Sequence, residues 1–123
     1  MEIYETAQFQ TDLNALGITI SREQESQFIR YYEMLIEWNQ MMNLTAITEY
    51  EDVMKKHFVD SLSLVKAYGK EMRISLMDVG TGAGFPGLVI KIAFPECRVT
   101  LLDSLNKRIQ FLNAVIAELG LKG

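Results

Sequence analysis

The feature that most constrains this chain is a short apolar run that ends on a cluster of glycines. Ile74-Ser75-Leu76-Met77-Asp78-Val79 leads into Gly80-Thr81-Gly82-Ala83-Gly84-Phe85-Pro86-Gly87. Short, apolar and bounded by turn residues, the run reads as a buried strand. Pro86-Gly87 opens a helix over 88–94, with proline near its first turn. Pro95 closes it, because the residue before a proline is pushed out of the α region. Arg98-Val99-Thr100-Leu101-Leu102 reads as a second strand, ending on Asp103. A last helix carries Leu105, Ile109, Leu112, Ile116 and Leu119 on one face, and Gly120 stops it.

Residues 3–68, ahead of this β-α-β-α order, read as helices. The first spans about Ile3 to Leu16, with Phe9, Leu13 and Leu16 on one face and Gly17 as its stop. The second starts at Ser21, and Gln24 three residues on completes a capping box. Phe28, Tyr31, Tyr32, Leu35 and Met42 recur after it at helical spacing. Thr48 with Glu51 matches a second capping box, opening a helix to about Lys56. A further helix is expected from Val59 to Tyr68, ended by Gly69. The division this predicts is a helical region over 1–70 and an α/β region over 71–123.

The strand–glycine–helix context gives the loop its meaning. Glycine permits a tight turn and lets a ligand approach the backbone with no Cβ in the way. In an open α/β sheet, ligands bind beyond the carboxyl ends of the strands. Asp103 lies 19 residues after Gly84 at the next such end, where a carboxylate can accept from both hydroxyls of a ribose. Two readings fit. Gly82-x-Gly84-x-x-Gly87 satisfies a dinucleotide fingerprint, with Pro86 awkwardly placed where a helix amide should face pyrophosphate. Asp78-x-Gly80-x-Gly82-x-Gly84 suits S-adenosylmethionine, which carries no pyrophosphate. Asp78 then favours the methionyl ammonium, and loop amides meet its carboxylate. A Walker phosphate loop is excluded, since the glycines lead to no Gly-Lys-Ser/Thr. Without a ligand, the glycines make only a tight turn and Asp103 only caps the next helix.

Composition removes other classes. No apolar run approaches the ~18 residues of a membrane span, and the start, Met1-Glu2-Ile3-Tyr4-Glu5, has no signal-peptide pattern. One cysteine, Cys97, excludes a disulfide framework and makes a reducing, cytoplasmic setting the default. One cysteine and one histidine cannot build a structural zinc site. The net charge of −4 is uneven: 4 Lys/Arg against 11 Asp/Glu give −7 over residues 1–60, and 8 against 5 give +3 over 61–123. A sign change of this kind suits helical surfaces in general, and an acidic pI near 5.0 does not advertise nucleic-acid binding.

Several segments together are more specific than the glycines. They are Trp38-Asn39, Asn43-Leu44-Thr45, and His57 with Asp60-Ser61-Leu62. To these add 78–88, with its Gly84-Phe85-Pro86-Gly87 tail, and Leu101-Leu102-Asp103-Ser104-Leu105 with Lys107-Arg108. In order and spacing over about residues 35–112, the chain resembles the bacterial ribosomal RNA guanine-N7 methyltransferases known as RsmG or GidB. The resemblance implies an α/β fold, a partial Rossmann-like class I methyltransferase sheet of two β-α units preceded by an α-helical region. It implies S-adenosylmethionine as cofactor, held by Asp78, Gly80, Thr81, Gly82, Gly84, Phe85, Asp103 and Ser104. It implies 16S ribosomal RNA as partner, with guanine N7 as the methyl acceptor. Family members are about twice this length, so the resemblance also implies an N-terminal portion, with little or no methyl transfer expected from it alone.

Other residues carry smaller expectations. Lys107 and Arg108 sit in the first turn of the last helix, where cations oppose the macrodipole at about 0.3–1 kcal/mol each. An RNA phosphate partner accounts for that cost, and so does a freely solvated pair. His57 reads as a helix-surface or junction residue ahead of a site-lining, RNA-facing one. Asn39 and Asn43 are expected to order the loop between helices, Trp38 to sit in the core and Cys97 to be passively buried. Two parallel strands leave a bare sheet edge, so self-association is expected. The rival functions are an NAD(P)-dependent oxidoreductase and a non-enzymatic RNA-binding or interaction module.

Overall fold

The computed structural model describes residues 5–42, 44–45, 48–63, 75–79, 83–85, 87–103 and 106–121, with backbone alone for Met42 and Ser75–Val79. The elements are α1 (Ala7–Ala15), α2 (Arg22–Met42), α3 (Tyr50–Asp52), a π-helical segment (Val53–Val59), α4 (Asp60–Leu62), β1 (Ser75–Val79), α5 (Gly87–Ala93), β2 (Arg98–Leu102) and α6 (Asn106–Leu119). The expected order of helices and then β-α-β-α is present. Among the described residues no helix is long and apolar enough to cross a membrane.

Local signals set most boundaries. Ser21 N–H donates to Gln24 Oε1 at 2.7 Å, and Gln24 N–H donates to Ser21 Oγ at 3.1 Å, so the first capping box forms as read. Two helices end in the same way. Gly17 has φ 79° and Gly120 has φ 65°. Ile18 N–H returns to Leu13 O at 2.9 Å, and Leu121 N–H to Ile116 O at 3.1 Å. These are the reversals that a left-handed glycine makes possible after a helix.

The second capping box does not form. Glu49, not Thr48, is the residue before α3, and it makes no side-chain cap bond. Thr48 is held instead through its carbonyl, which accepts from the Tyr32 hydroxyl at 2.8 Å. The break expected between Lys56 and Val59 is also absent. The chain runs helically from Tyr50 to Leu62 through the π-helical turn. That wider turn brings Val53, Met54, Phe58 and Leu62 all into the core. The stretch expected as helix up to Tyr68, and its Gly69 stop, lie outside the described residues.

The core is one aromatic-rich cluster shared by helices and α/β segment. Phe28, Tyr31, Leu35, Phe58, Val89, Ile92 and Phe111 are fully buried. Phe9 meets Phe28 edge to face at 5.2 Å between centroids, and Trp38 meets Phe111 likewise at 5.6 Å. Cys97 is buried as expected, while Trp38 is half-buried and packs against the core rather than within it. The apolar face of α6 is turned from its sequence-based assignment. Phe111, Leu112 and Val115 are buried, while Ile109 is exposed. The reason is α2, which draws Phe111 toward Tyr31 and Trp38. Ile109, Leu112 and Ile116 instead line an open apolar groove against Leu88, Val99 and Leu101.

Candidate functional site

β1 and β2 pair in parallel, with Ser75 opposite Arg98 and Val79 opposite Leu102. This register makes both strands end level, so the glycine-rich segment and Asp103 leave the sheet at the same carboxyl edge. Asp78 stands opposite Leu101, one residue before that edge. Gly80, Thr81, Gly82, Pro86 and Ser104 lie outside the described residues.

The described part of the loop is Ala83-Gly84-Phe85, and it is held from behind. The Tyr31 hydroxyl donates to the Ala83 carbonyl. Leu88 N–H donates to the Gly84 carbonyl at 2.8 Å, anchoring the start of α5. Gly84 has φ +97°, a region that L side chains avoid. A Cβ there would collide with the Tyr31 hydroxyl and lie 2.6 Å from Leu88 Cδ1. The structure thus supplies a reason for glycine at 84 that needs no ligand. Tyr31, legible in the sequence only as a core position, is the loop's main support. The signal was a buried tyrosine, whose hydroxyl needs a partner.

Phe85 lies at a junction of rings. It stacks on Tyr31 at 5.8 Å and on His57 at 4.4 Å, the latter with an interplanar angle of 9°. His57 is half-buried, and its Nε2 lies 2.8 Å from Thr45 Oγ1. Asn39 Oδ1 accepts from Thr45 N–H at 2.8 Å, the loop-ordering role expected of it. Asn43 lies outside the described residues. Burial pushes the His57 pKa below its usual 6.5, and the carboxylate of Asp60 pulls it partly back.

Asp103 comes directly after β2. Its side chain is only 2% exposed, and its Oδ2 lies 3.6 Å from Arg108 Nη1. Arg108 is 41% exposed. So Arg108 is not freely solvated: an acid at the foot of α6 offsets the cost of a cation in its first turn. Lys107, beside it, is exposed. Chemically, the described residues here offer a glycine-bearing turn at Gly84, one sequestered carboxylate in Asp103 and two cations in Lys107 and Arg108. Among the described residues no group of His, Cys, Asp and Glu is placed to hold a metal.

Two glutamines and a lysine brace this segment. Gln24 Nε2 donates to Ile92 O at 2.9 Å and Ala93 O at 3.1 Å, closing the carboxyl end of α5. Gln27 Nε2 does the same for Leu119 O at 2.9 Å on α6. Lys91 is buried, and donates to Pro95 O at 2.5 Å and Cys97 O at 2.8 Å, fixing the turn into β2.

Known proteins resemble this chain along nearly its whole length. A family model described as rRNA small subunit methyltransferase G matches residues 24–123. The chain is 59% identical over 110 residues to the ribosomal RNA small subunit methyltransferase G of Lachnoclostridium phytofermentans, covering 89% of this chain and 46% of that relative. It is 54% identical over 117 residues to the protein of that name from Geobacillus kaustophilus, covering 95% and 49%. For the Staphylococcus epidermidis protein the figures are 53% over 110 residues, 89% and 46%. The chain spans about half the length of the curated relatives it matches.

Proposed function

The chain belongs to the GidB family, rRNA small subunit methyltransferase G, and on that footing we propose that it supplies the cofactor-binding segment of an S-adenosylmethionine-dependent enzyme that methylates guanine N7 in 16S ribosomal RNA. One observation carries the reading. Val79 pairs with Leu102, so the strand that leads into the glycine-rich segment and the strand that leads into Asp103 end level, which supports a shared site there. In this reading β1 and β2 are the first strands of a Rossmann-like class I sheet. Residues 71–123 belong to the cofactor domain, and 1–70 form a helical cap over its loop.

The donor set suits the cofactor. The Asp103 carboxylate would accept from the ribose hydroxyls, with Ser104 beside it. Backbone amides of Gly80, Thr81 and Gly82 would meet the methionyl carboxylate, and Asp78 its ammonium. Gly84 and Phe85 would shape the loop rather than touch the cofactor's polar groups. S-adenosylmethionine, when bound, supplies a methyl group on a sulfonium. Guanine N7 has a lone pair and no proton to lose, so no general base is needed. The protein's work is to align the acceptor and exclude water. Exposed Lys107, with Arg108 beside Asp103 and His57 against Phe85, is the candidate contact to RNA.

The test is methyl transfer from labelled S-adenosylmethionine to 16S ribosomal RNA by a protein of the relatives' length carrying these 123 residues. Label on guanine N7, lost in Asp103→Asn, is the expected result. Label on another atom or base overturns the specificity. No transfer, with tight binding of NAD, overturns the methyltransferase reading in favour of an oxidoreductase.

A further inference from the structure

A chain of contacts runs from α2 through Thr45 and the π-helical turn to Phe85 of the glycine-rich loop. Asn39 at the end of α2 holds Thr45 N–H. The Thr45 hydroxyl meets His57 Nε2 at 2.8 Å. The π-helical turn carries His57, and its imidazole lies flat on Phe85 at 4.4 Å. Phe85 also stacks on Tyr31, whose hydroxyl holds Ala83, two residues back along the loop. The ring of His57 is thus the link between the helical segment and the rim of the loop. Single π-helical turns inside helices recur at functional sites.

We propose that His57 is a positioning residue for the cofactor loop: its neutral imidazole, oriented by Thr45, clamps Phe85 and holds residues 83–85 in their ligand-binding form, and protonation releases that hold. The inference rests on the cofactor reading above and adds a residue and a pH dependence to it. In the neutral ring, Nε2 can accept from the Thr45 hydroxyl. Once protonated, Nε2 can only donate, and the Thr45 hydroxyl keeps the contact by turning to accept, so the opposition to the charge comes from the ring's burial. A positive charge at this half-buried position is opposed by desolvation, which outweighs Asp60 on the same helix. Among the described residues, Thr45 and Phe85 contact the ring, and neither carries a charge.

The chain has one histidine, so its imidazole Hε1 gives one unambiguous proton NMR signal. The experiment tracks that signal from about pH 5 to 8, with and without saturating S-adenosylhomocysteine, and measures the affinity of that ligand calorimetrically over the same range. The ligand is expected to lower the pKa of His57. Its affinity is expected to fall roughly 3–10-fold as pH drops through that pKa, since the coupling is reciprocal. His57→Gln, which keeps a hydrogen-bonding partner for Thr45, should bind with a flat pH profile. Binding that is pH-independent in the unaltered protein, or an equal slope in His57→Gln, overturns the inference and leaves the cofactor reading standing. No binding at any pH overturns both. If His57→Gln does not fold, the NMR titration of the unaltered chain decides alone: an unmoved pKa overturns the inference.

Discussion

Tyr31, in the middle of α2, donates its hydroxyl hydrogen to the carbonyl oxygen of Ala83 in the glycine-rich loop, 52 residues further along the chain. Both residues are buried. The bond makes the helical region part of the loop's foundation rather than a neighbour of it. Tyr31→Phe keeps the ring and removes the donor, leaving a buried carbonyl unpaired. The expected loss is about 1–2 kcal/mol of folding stability, read from urea unfolding. A change below the error of that measurement contradicts the role given to the hydroxyl.

Gly84→Ala meets two obstacles at once. The backbone has φ +97°, and a Cβ would press on the Tyr31 hydroxyl and on Leu88. Strain and overpacking together are expected to cost about 2–4 kcal/mol. Removing the hydroxyl removes part of the collision. The double variant Tyr31→Phe/Gly84→Ala should therefore be less destabilised than the two single effects combined, and a thermodynamic cycle measures the difference. Strict additivity would separate the two residues.

Gln24 is predicted to matter more than an exposed helix-capping residue should. It closes the box with Ser21 and also satisfies the carbonyls of Ile92 and Ala93. Gln24→Ala should cost about 1–3 kcal/mol, while Ser21→Ala should cost about 0.5–1 kcal/mol, the value of the cap alone. Equal losses in thermal melts would show that the link to α5 contributes nothing.

What the sequence made legible was local. The β-α-β-α order, the Ser21–Gln24 box and the stops at Gly17 and Gly120 each depend on residues within a few positions of one another. What it hid was long-range. Thr48–Glu51 satisfies the capping pattern, but Tyr32 takes the Thr48 carbonyl and the helix starts one residue later. Val53 to Val59 is π-helical because Val53, Met54, Phe58 and Leu62 must reach one core, which a 3.6-residue period does not reveal. The face of α6 is set by Phe111 meeting Tyr31 and Trp38, not by the Ile109–Ile116 stripe. At the site, the strand ends and Asp103 were readable from spacing. The convergence of Asn39, Thr45, His57 and Phe85 was readable only as motifs, with no sign that they touch.

Folding stability is predicted to fall in mild acid through His57. Its folded-state pKa lies below the usual 6.5 because burial disfavours the charge. The unfolded chain therefore takes up the proton first. Stability is full above about 6.5 and declines as pH falls toward the folded-state value. Urea midpoints measured over that window should drop in the unaltered chain and drop less in His57→Gln. A midpoint rising toward acid would reverse the sign and contradict the buried, neutral imidazole.

The central claim is that the loop after β1 and the carboxylate after β2 form one cofactor site. Calorimetric titration of S-adenosylhomocysteine into the unaltered chain, Asp103→Asn and Arg108→Ala tests it most directly. Asp103→Asn is expected to weaken binding about 10- to 100-fold, the scale of charge-assisted bonds to ribose. Arg108→Ala removes the cation 3.6 Å from a carboxylate that is 2% exposed and should lower folding stability by about 1–3 kcal/mol. Affinity for S-adenosylhomocysteine unchanged by Asp103→Asn, or tight binding of NAD with none of S-adenosylhomocysteine, would contradict the account.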